Sequence, residues 1–508
     1  MQEIKQVLCN NKRFINGDFI AKKERWNSRF AFIMAAVGSA VGLGNIWRFP
    51  YICYQNGGGA FLIPYFVALF TVGIPLLMVE FGIGHWFGKS APMACKEVRK
   101  KWEWVGWWGS FSAFFISIYY SVIMAWCLSY LFHSFGLVWG SNASAFFDYF
   151  IKKTSSPAIL GSINPQILFA LLFIWTSIYL ILYKGVKSIG KVVAITVPLP
   201  TILLFILTIR GLTLPGAMDG LSFYLTPDFS KLFSPSVWLS AYAQIFFSLS
   251  LAQGIMIVYA SYLTKKSDIS NNATITALAD GGTAFLAGFA VFSVLGYLSY
   301  STGMDMKSIA GGGIGLAFIT YPTAISKLPV AASFFGAIFF IALLTFGIDS
   351  AFSMVESITA GVEEKWRVSK RKATFIVCLF GFLLGVFLTT GGGIYWINIM
   401  DHFISNFALV FIGFLECILF GYFLGAEKMR KHINKTSEIF IGRWWNLLIR
   451  IVAPIILPLI ALASVAELIT KGYNNFPGWS LIIGALMVPA TFIIAFLFMR
   501  MKTCRQAQ

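Results

Sequence analysis

Five carboxylates sit inside long apolar runs of this chain: Glu80, Asp280, Asp349, Glu356 and Glu416. An ionised acid at bilayer depth costs at least about 2.5–3.5 kcal/mol, so such groups pair with cations or line a pathway. Ser350 follows Asp349 and makes a cluster of hard oxygens with no thioether, thiolate or imidazole beside it. That donor set suits an alkali cation better than a transition metal, and Asp280 reads the same way. Glu80, Glu356 and Glu416 read instead as hydrogen-bonding glue between helices. Two further segments combine glycines with polar residues: Gly38-Ser-Ala-Val-Gly-Leu-Gly-Asn45 and Ser248-Leu-Ser-Leu-Ala-Gln-Gly254. Each glycine weakens a helix by about 1 kcal/mol relative to alanine. A stretch unwound in lipid leaves amides and carbonyls that are expensive unless they bind something. Small residues also serve close helix packing, so the glycines alone leave both readings open. Arg48 and Asp401 stand near the outer ends of their runs, where a charged pair would make a gate and lone side chains would snorkel to the headgroups. Spacing does not decide between those two.

The elements that must position these groups follow from composition. The 508 residues are 58% apolar and only 12% charged, with a mean hydropathy of +0.76, about half the charge of a soluble domain. Long unbroken apolar runs call for membrane-spanning helices and exclude a barrel. At roughly 20 residues per span, an all-α membrane protein of about twelve spans is predicted, at 29–54, 60–88, 106–133, 166–183, 189–211, 236–264, 270–302, 329–360, 373–390, 395–425, 445–469 and 478–500. The net charge of +18 is concentrated before the first span, after the even-numbered ones and at the end of the chain. By the positive-inside rule both termini are cytoplasmic, and the charge is no nucleic-acid footprint. The chain divides into a cytoplasmic tail (1–28), a core (29–427), two C-terminal helices (428–500) and a second tail (501–508). The two interrupted spans lie five apart, at equivalent places in two five-helix halves, about 29–211 and 236–425, which points to an inverted repeat with its binding site at the breaks.

A channel would need a continuous pore and a repeated filter, whereas one mid-membrane site is seen. An enzyme would need a catalytic set, and His85, His133, His402 and His432 lie near span ends and far apart. Seven scattered cysteines offer neither a disulfide framework nor a metal-type spacing.

Several stretches, taken in order, resemble the neurotransmitter:sodium symporters, and their bacterial amino-acid transporters in style. These are Trp26-Asn-Ser-Arg29, Gly38 to Pro50, Asn56-Gly-Gly-Gly-Ala-Phe61, Gly73-Ile-Pro-Leu76 with Glu80, and Ile118-Tyr-Tyr120. Gln244 to Ser250, Tyr259-Ala-Ser-Tyr262 and Gly347-Ile-Asp-Ser350 continue the series. The resemblance runs from about Trp26 to the end of span twelve and implies a LeuT-like 5+5 inverted repeat with broken helices 1 and 6. It implies a first sodium site of the Ala40 carbonyl, Asn45, Ser248, Asp280 and the substrate carboxylate. A second would use the carbonyls of Gly38, Val41 and Phe346 with Asp349 and Ser350. Tyr120 and the amides near Gly42, Leu43 and Gly44 would hold the substrate carboxylate, as an exposed helix N-terminus favours an anion. Ser39, Ile116, Phe247, Ser250, Gln253, Ala351 and Met354 would surround its side chain. Arg48 with Asp401 resembles the outer gate; Lys23 with Glu364, near Trp26 and Tyr262, resembles the inner one. Gly190 and Pro200 fit a Gly-X9-Pro spacing tied in the family to opening of the inner path.

Four departures refine the expectation. Gly42 replaces the aspartate that monoamine carriers use for the substrate amine, so the substrate should bring its own carboxylate. Asp280 stands where asparagine is usual and Ala284 where chloride-dependent members keep serine, which implies chloride independence. Gln253 replaces a common aromatic, and Lys23 in place of arginine loses the bidentate fork. The resemblance thus implies sodium-coupled import of a neutral L-amino acid by alternating access, with no other cofactor. Another sodium-coupled small-solute carrier, or a non-transporting amino-acid sensor on the same scaffold, would bind in the same way.

Overall fold

The computed structural model describes residues 24–309 and 313–502. They form helices and turns, with one isolated antiparallel bridge between Ile163 and Thr390. The first span is bent by 53° between α1a (Arg29–Ala40) and α1b (Leu43–Gln55). Four uninterrupted spans follow: α2 (Gly58–Phe87), α3 (Lys100–Ser134), α4 (Pro165–Leu182) and α5 (Val186–Leu212). The sixth is split into α6a (Pro235–Ser248) and α6b (Ile255–Ser261). Then come α7 (Ile269–Thr302), α8 (Ala332–Trp366), α9 (Lys370–Thr389), α10 (Gly393–Ile433), α11 (Trp444–Lys471) and α12 (Gly478–Arg500). Among the described residues the membrane-length elements are therefore ten helices, one bent pair and one split span. The two interruptions fall on the two glycine-rich polar segments, and this is the LeuT-like helical fold.

Burial separates centre from rim. The most apolar windows of α3 and α8 are 83% and 78% buried, against 17% in α12. α3 and α8 pack along each other through the middle, while α4, α9 and α12 present Phe169, Phe380 and Ile482 outward. An apolar surface of that kind is stable against lipid tails.

Three boundaries differ from the hydropathy reading by six residues or more, among them the end of α8, which runs to Trp366 rather than 360. α3 begins at Lys100 rather than 106, and α10 runs through Ala426–Ile433, past 425. At the end of α10 the helix outlasts the apolar run because this end is amphipathic: Met429 and Ile433 are buried while Lys428 and Lys431 face outward. The segment between α7 and α8, outside the expected spans, holds short helices at Met306–Ile309 and Leu316–Ser326.

Candidate functional site

The break in α1 is made by Val41 and Gly42, both extended, with Gly42 at φ −135° and ψ −168°. The freed amides find side chains: Gly42 N donates to Asn45 Oδ1 at 3.1 Å and Leu43 N to Tyr120 Oη at 3.0 Å. A Cβ on Gly42 would come within 3.0 Å of both Tyr120 Oη and Ser350 Oγ, so only glycine leaves this corner open.

The break in α6 is held differently. Ser250 (φ 52°), Ala252 (φ 62°) and Gly254 (φ 70°) are left-handed, a region that costs a residue with a side chain about 1–2 kcal/mol. Ala252 N donates to Glu80 Oε1 at 2.8 Å, Ser357 Oγ to Gln253 O at 2.7 Å, and Ser250 Oγ to Ser39 O at 3.0 Å. Glu80, read as helix glue, is a pin for this break.

Between the breaks lies a cavity of about 50 Å³. Ser39, Ala40, Gly42, Leu43, Gly44, Ile116, Tyr120, Phe247, Ser248, Ser250, Gln253 and Met354 line it, joined by Asn45, Gln244 and Ser350. Ala351, expected beside them, is fully buried and does not line it, because the turn of α8 that carries Ser350 and Met354 inward points Ala351 into the packed core. No charged side chain is among the lining residues.

Two oxygen clusters flank the cavity. On one side the buried Asp280 carboxylate accepts from Asn45 Nδ2 and from Ser248 Oγ, each at 2.7 Å. On the other, Ser350 Oγ reaches the carbonyls of Gly38 at 3.3 Å and Ser39 at 3.2 Å. Asp349 stands beside it, with Oδ2 2.9 Å from where a Cβ on Gly38 would lie. Ala40 and Val41 are buried at the same break, and Phe346 is buried one turn before Ser350. Asp349 Oδ1 accepts from Thr196 Oγ1 of α5 at 2.6 Å. Sequence reasoning missed Thr196, since a threonine in an apolar helix ordinarily bonds its own preceding turn.

The two ends of the site differ. One opens into a vestibule of about 300 Å³ lined by Arg48, Tyr119, Phe247, Asp401 and Tyr473. Arg48 and Asp401 share this vestibule, and among the described residues no ion pair within 4.0 Å joins them. Instead the Arg48 guanidinium lies 4.5 Å from the Phe247 ring centre, and Asp401 Oδ1 accepts from Tyr119 Oη at 2.6 Å and Ser405 Oγ at 3.2 Å. The vestibule between them is open, which holds the two charges apart.

The other end is shut. Trp26 Nε1 donates to Tyr259 O at 2.8 Å and Trp26 N to Tyr262 O at 3.2 Å, with the indole edge-on to both tyrosine rings. Tyr262 Oη donates to Glu356 Oε1 at 2.7 Å, and Lys370 Nζ pairs with the same carboxylate at 2.5 Å. Glu356 thus ties α8 to α6b, as glue between helices would, and is also half of a buried ion pair with Lys370. Glu364 accepts from Ser90 N at 2.8 Å and Ser90 Oγ at 2.6 Å; its expected partner Lys23 lies outside the described residues.

The comparisons agree with this geometry. The sequence profile of the sodium:neurotransmitter symporter family matches residues 23–149 and 140–506. An uncharacterized sodium-dependent transporter of Methanocaldococcus jannaschii is 46% identical, over 95% of this chain and 99% of its own length. The human sodium- and chloride-dependent taurine transporter is 32% identical, over 95% of this chain and 85% of its own. The mouse sodium- and chloride-dependent GABA transporter 2 is 34% identical, over 84% and 77%. With the profile spanning nearly the whole sequence and relatives aligned along their length, this multi-pass helical membrane protein belongs to the sodium:neurotransmitter symporter family.

Proposed function

We propose that the protein imports a small neutral L-amino acid with sodium, by alternating access and without chloride. The observation that carries this reading is the uncharged cavity at the junction of two helix breaks, with an acid-bearing oxygen cluster on either side of it. The amino acid's carboxylate would meet the start of α1b and Tyr120, where bare amides favour an anion. Its side chain would face Ser39, Gln253 and Met354, and the small volume favours a compact one. Sodium would sit at Asp280 with Asn45 and Ser248, and at Asp349 with Ser350 and the α1 carbonyls. The fixed charge of Asp280 beside the first ion stands in for a bound anion. Two five-helix repeats, 29–211 and 236–425, would rock about the fixed site, with both termini cytoplasmic and the vestibule facing outward.

The energetics suffice. At 100 mV each sodium ion contributes about 2.3 kcal/mol and a tenfold gradient adds about 1.4 kcal/mol. Two ions supply roughly 7 kcal/mol, an accumulation of about 10⁵ at tight coupling. The test is uptake of neutral amino acids by purified protein in liposomes with sodium outside, inside or absent. Accumulation should appear only with an inward sodium gradient. Binding without flux under every gradient would leave a sensor in place of a carrier.

A further inference from the structure

The two oxygens of Asp349 are placed differently. Oδ2 faces Gly38 of α1a, whereas Oδ1 accepts the Thr196 hydroxyl at 2.6 Å. That hydroxyl also lies 3.1 Å from Val192 O, one turn back in its own helix. Thr208, further along α5, donates to the equivalent carbonyl of its own preceding turn, Leu204 O, at 2.8 Å. A single hydroxyl proton serves one acceptor well, and an ionised carboxylate is the stronger. The Thr196 proton is therefore drawn out of α5 and onto α8.

The position of Thr196 in α5 matters as much as its partner. Pro198 and Pro200 follow it and have no N–H to offer the carbonyls of Ala194 and Thr196, so the ladder is weakest here. On either side of this point α5 lies directly against α1a. A Cβ on Gly190 would sit 3.3 Å from Ala31 Cβ, and one on Gly38 would sit 2.6 Å from Val197 Cγ2. The Thr196–Asp349 hydrogen bond thus joins the proline-weakened turn of α5 to the carboxylate that faces α1a.

We infer that Thr196 is a positioning residue for the cation bound by Asp349: by holding Oδ1 it aims Oδ2 at α1a, and it makes α5 part of the ion site. The inference rests on the sodium-coupled reading above and adds to it a third helix that senses the ion. A carboxylate fixed by an outer hydrogen bond needs no ordering when the ion arrives, and loss of such a partner typically weakens metal binding by 10–100-fold. The ion in turn draws charge from Oδ1, which frees the Thr196 proton to return to Val192 O and changes the bonding of the turn before Pro198.

The test compares Thr196→Val, which keeps the shape and removes the hydroxyl, with Thr196→Ser, which keeps the hydroxyl. Uptake in liposomes is measured against external sodium, and the amino-acid KM at saturating sodium. Thr196→Val should raise half-saturating sodium about tenfold and leave the amino-acid KM within about twofold; Thr196→Ser should restore the sodium curve. Should Thr196→Val prove unstable by its melting midpoint, Thr196→Ala is expected to show the same shift. Wild-type accumulation with an unshifted Thr196→Val curve overturns this inference alone, as does a serine variant as impaired as the valine one. A wild type that accumulates nothing under a sodium gradient overturns the coupled-transport reading, and this inference with it.

Discussion

The vestibule end and the shut end of the site use the same kinds of side chain for opposite results. At the shut end, Trp26 fills the space against Tyr259 and Tyr262, Tyr262 binds Glu356, and Glu356 holds Lys370. Trp26, Tyr262 and Glu356 are buried there, and the Glu356 carboxylate has a cationic partner. At the vestibule end, Arg48 lies on an aromatic face and Asp401 is held by hydroxyls, so both charges are satisfied without touching each other. The difference teaches that an ion pair is a fastening only where an aromatic plug first keeps water away; buried pairs are strong when intact and screened when wet. In the proposed alternating access, the plug and the pair would form together at one end as they come apart at the other.

This contrast can be broken at its ion. Asp349→Ala removes the only acid of the second oxygen cluster, and accumulation should fall from as much as about 10⁵ to unity in the liposome assay. Accumulation that survives would leave the two ends unconnected to the site. Trp26→Ala attacks the plug. Loss of a buried aromatic costs about 3–5 kcal/mol, so the shut end should open by about 10²-fold or more. Maleimide labelling of Ser261→Cys on α6b, with Cys9 and Cys504 replaced by serine, should accelerate accordingly. An unchanged rate would show that the ion pairs alone hold this end. A smaller effect is expected for Arg48→Gln or Asp401→Asn, since their contact is absent when the vestibule is open. Equilibrium binding of the amino acid should change by less than about threefold while the maximal uptake rate drops about tenfold, with partial recovery when the two charges are exchanged. Replacing chloride by gluconate should leave uptake within about twofold; strong inhibition would refute the role given to Asp280.

Much of this was legible in the sequence because the membrane imposes a simple rule. Runs of about twenty apolar residues had to be helices, and the two glycine-bearing polar interruptions stood out because they fall at equivalent places of two five-helix halves. Asp280 and Asp349 stood out because acids in such runs need a reason. What the sequence hid were contacts between residues that are individually ordinary. Thr196 and Gln244 look like tolerated polar residues of apolar helices, and only the packing of α5 on α8 brings Thr196 to Asp349. Glu356 was visible but its partner was not, since Lys370 begins a different helix. Arg48 and Asp401 were recognised as a pair by resemblance, yet whether they touch depends on the conformation of the whole molecule rather than on local sequence.

The left-handed turn of α6 has a practical consequence. Ser250 and Ala252 occupy a backbone region that suits glycine, and Glu80 holds Ala252 there by its amide. Ala252 is fully buried and outside the cavity lining, so its methyl group serves neither ligand nor ion. Ala252→Gly should relieve about 1 kcal/mol of strain and lift the thermal midpoint in detergent by a degree or two with uptake unchanged. A more heat-tolerant preparation for crystallisation or drug screening is thus one methyl group away.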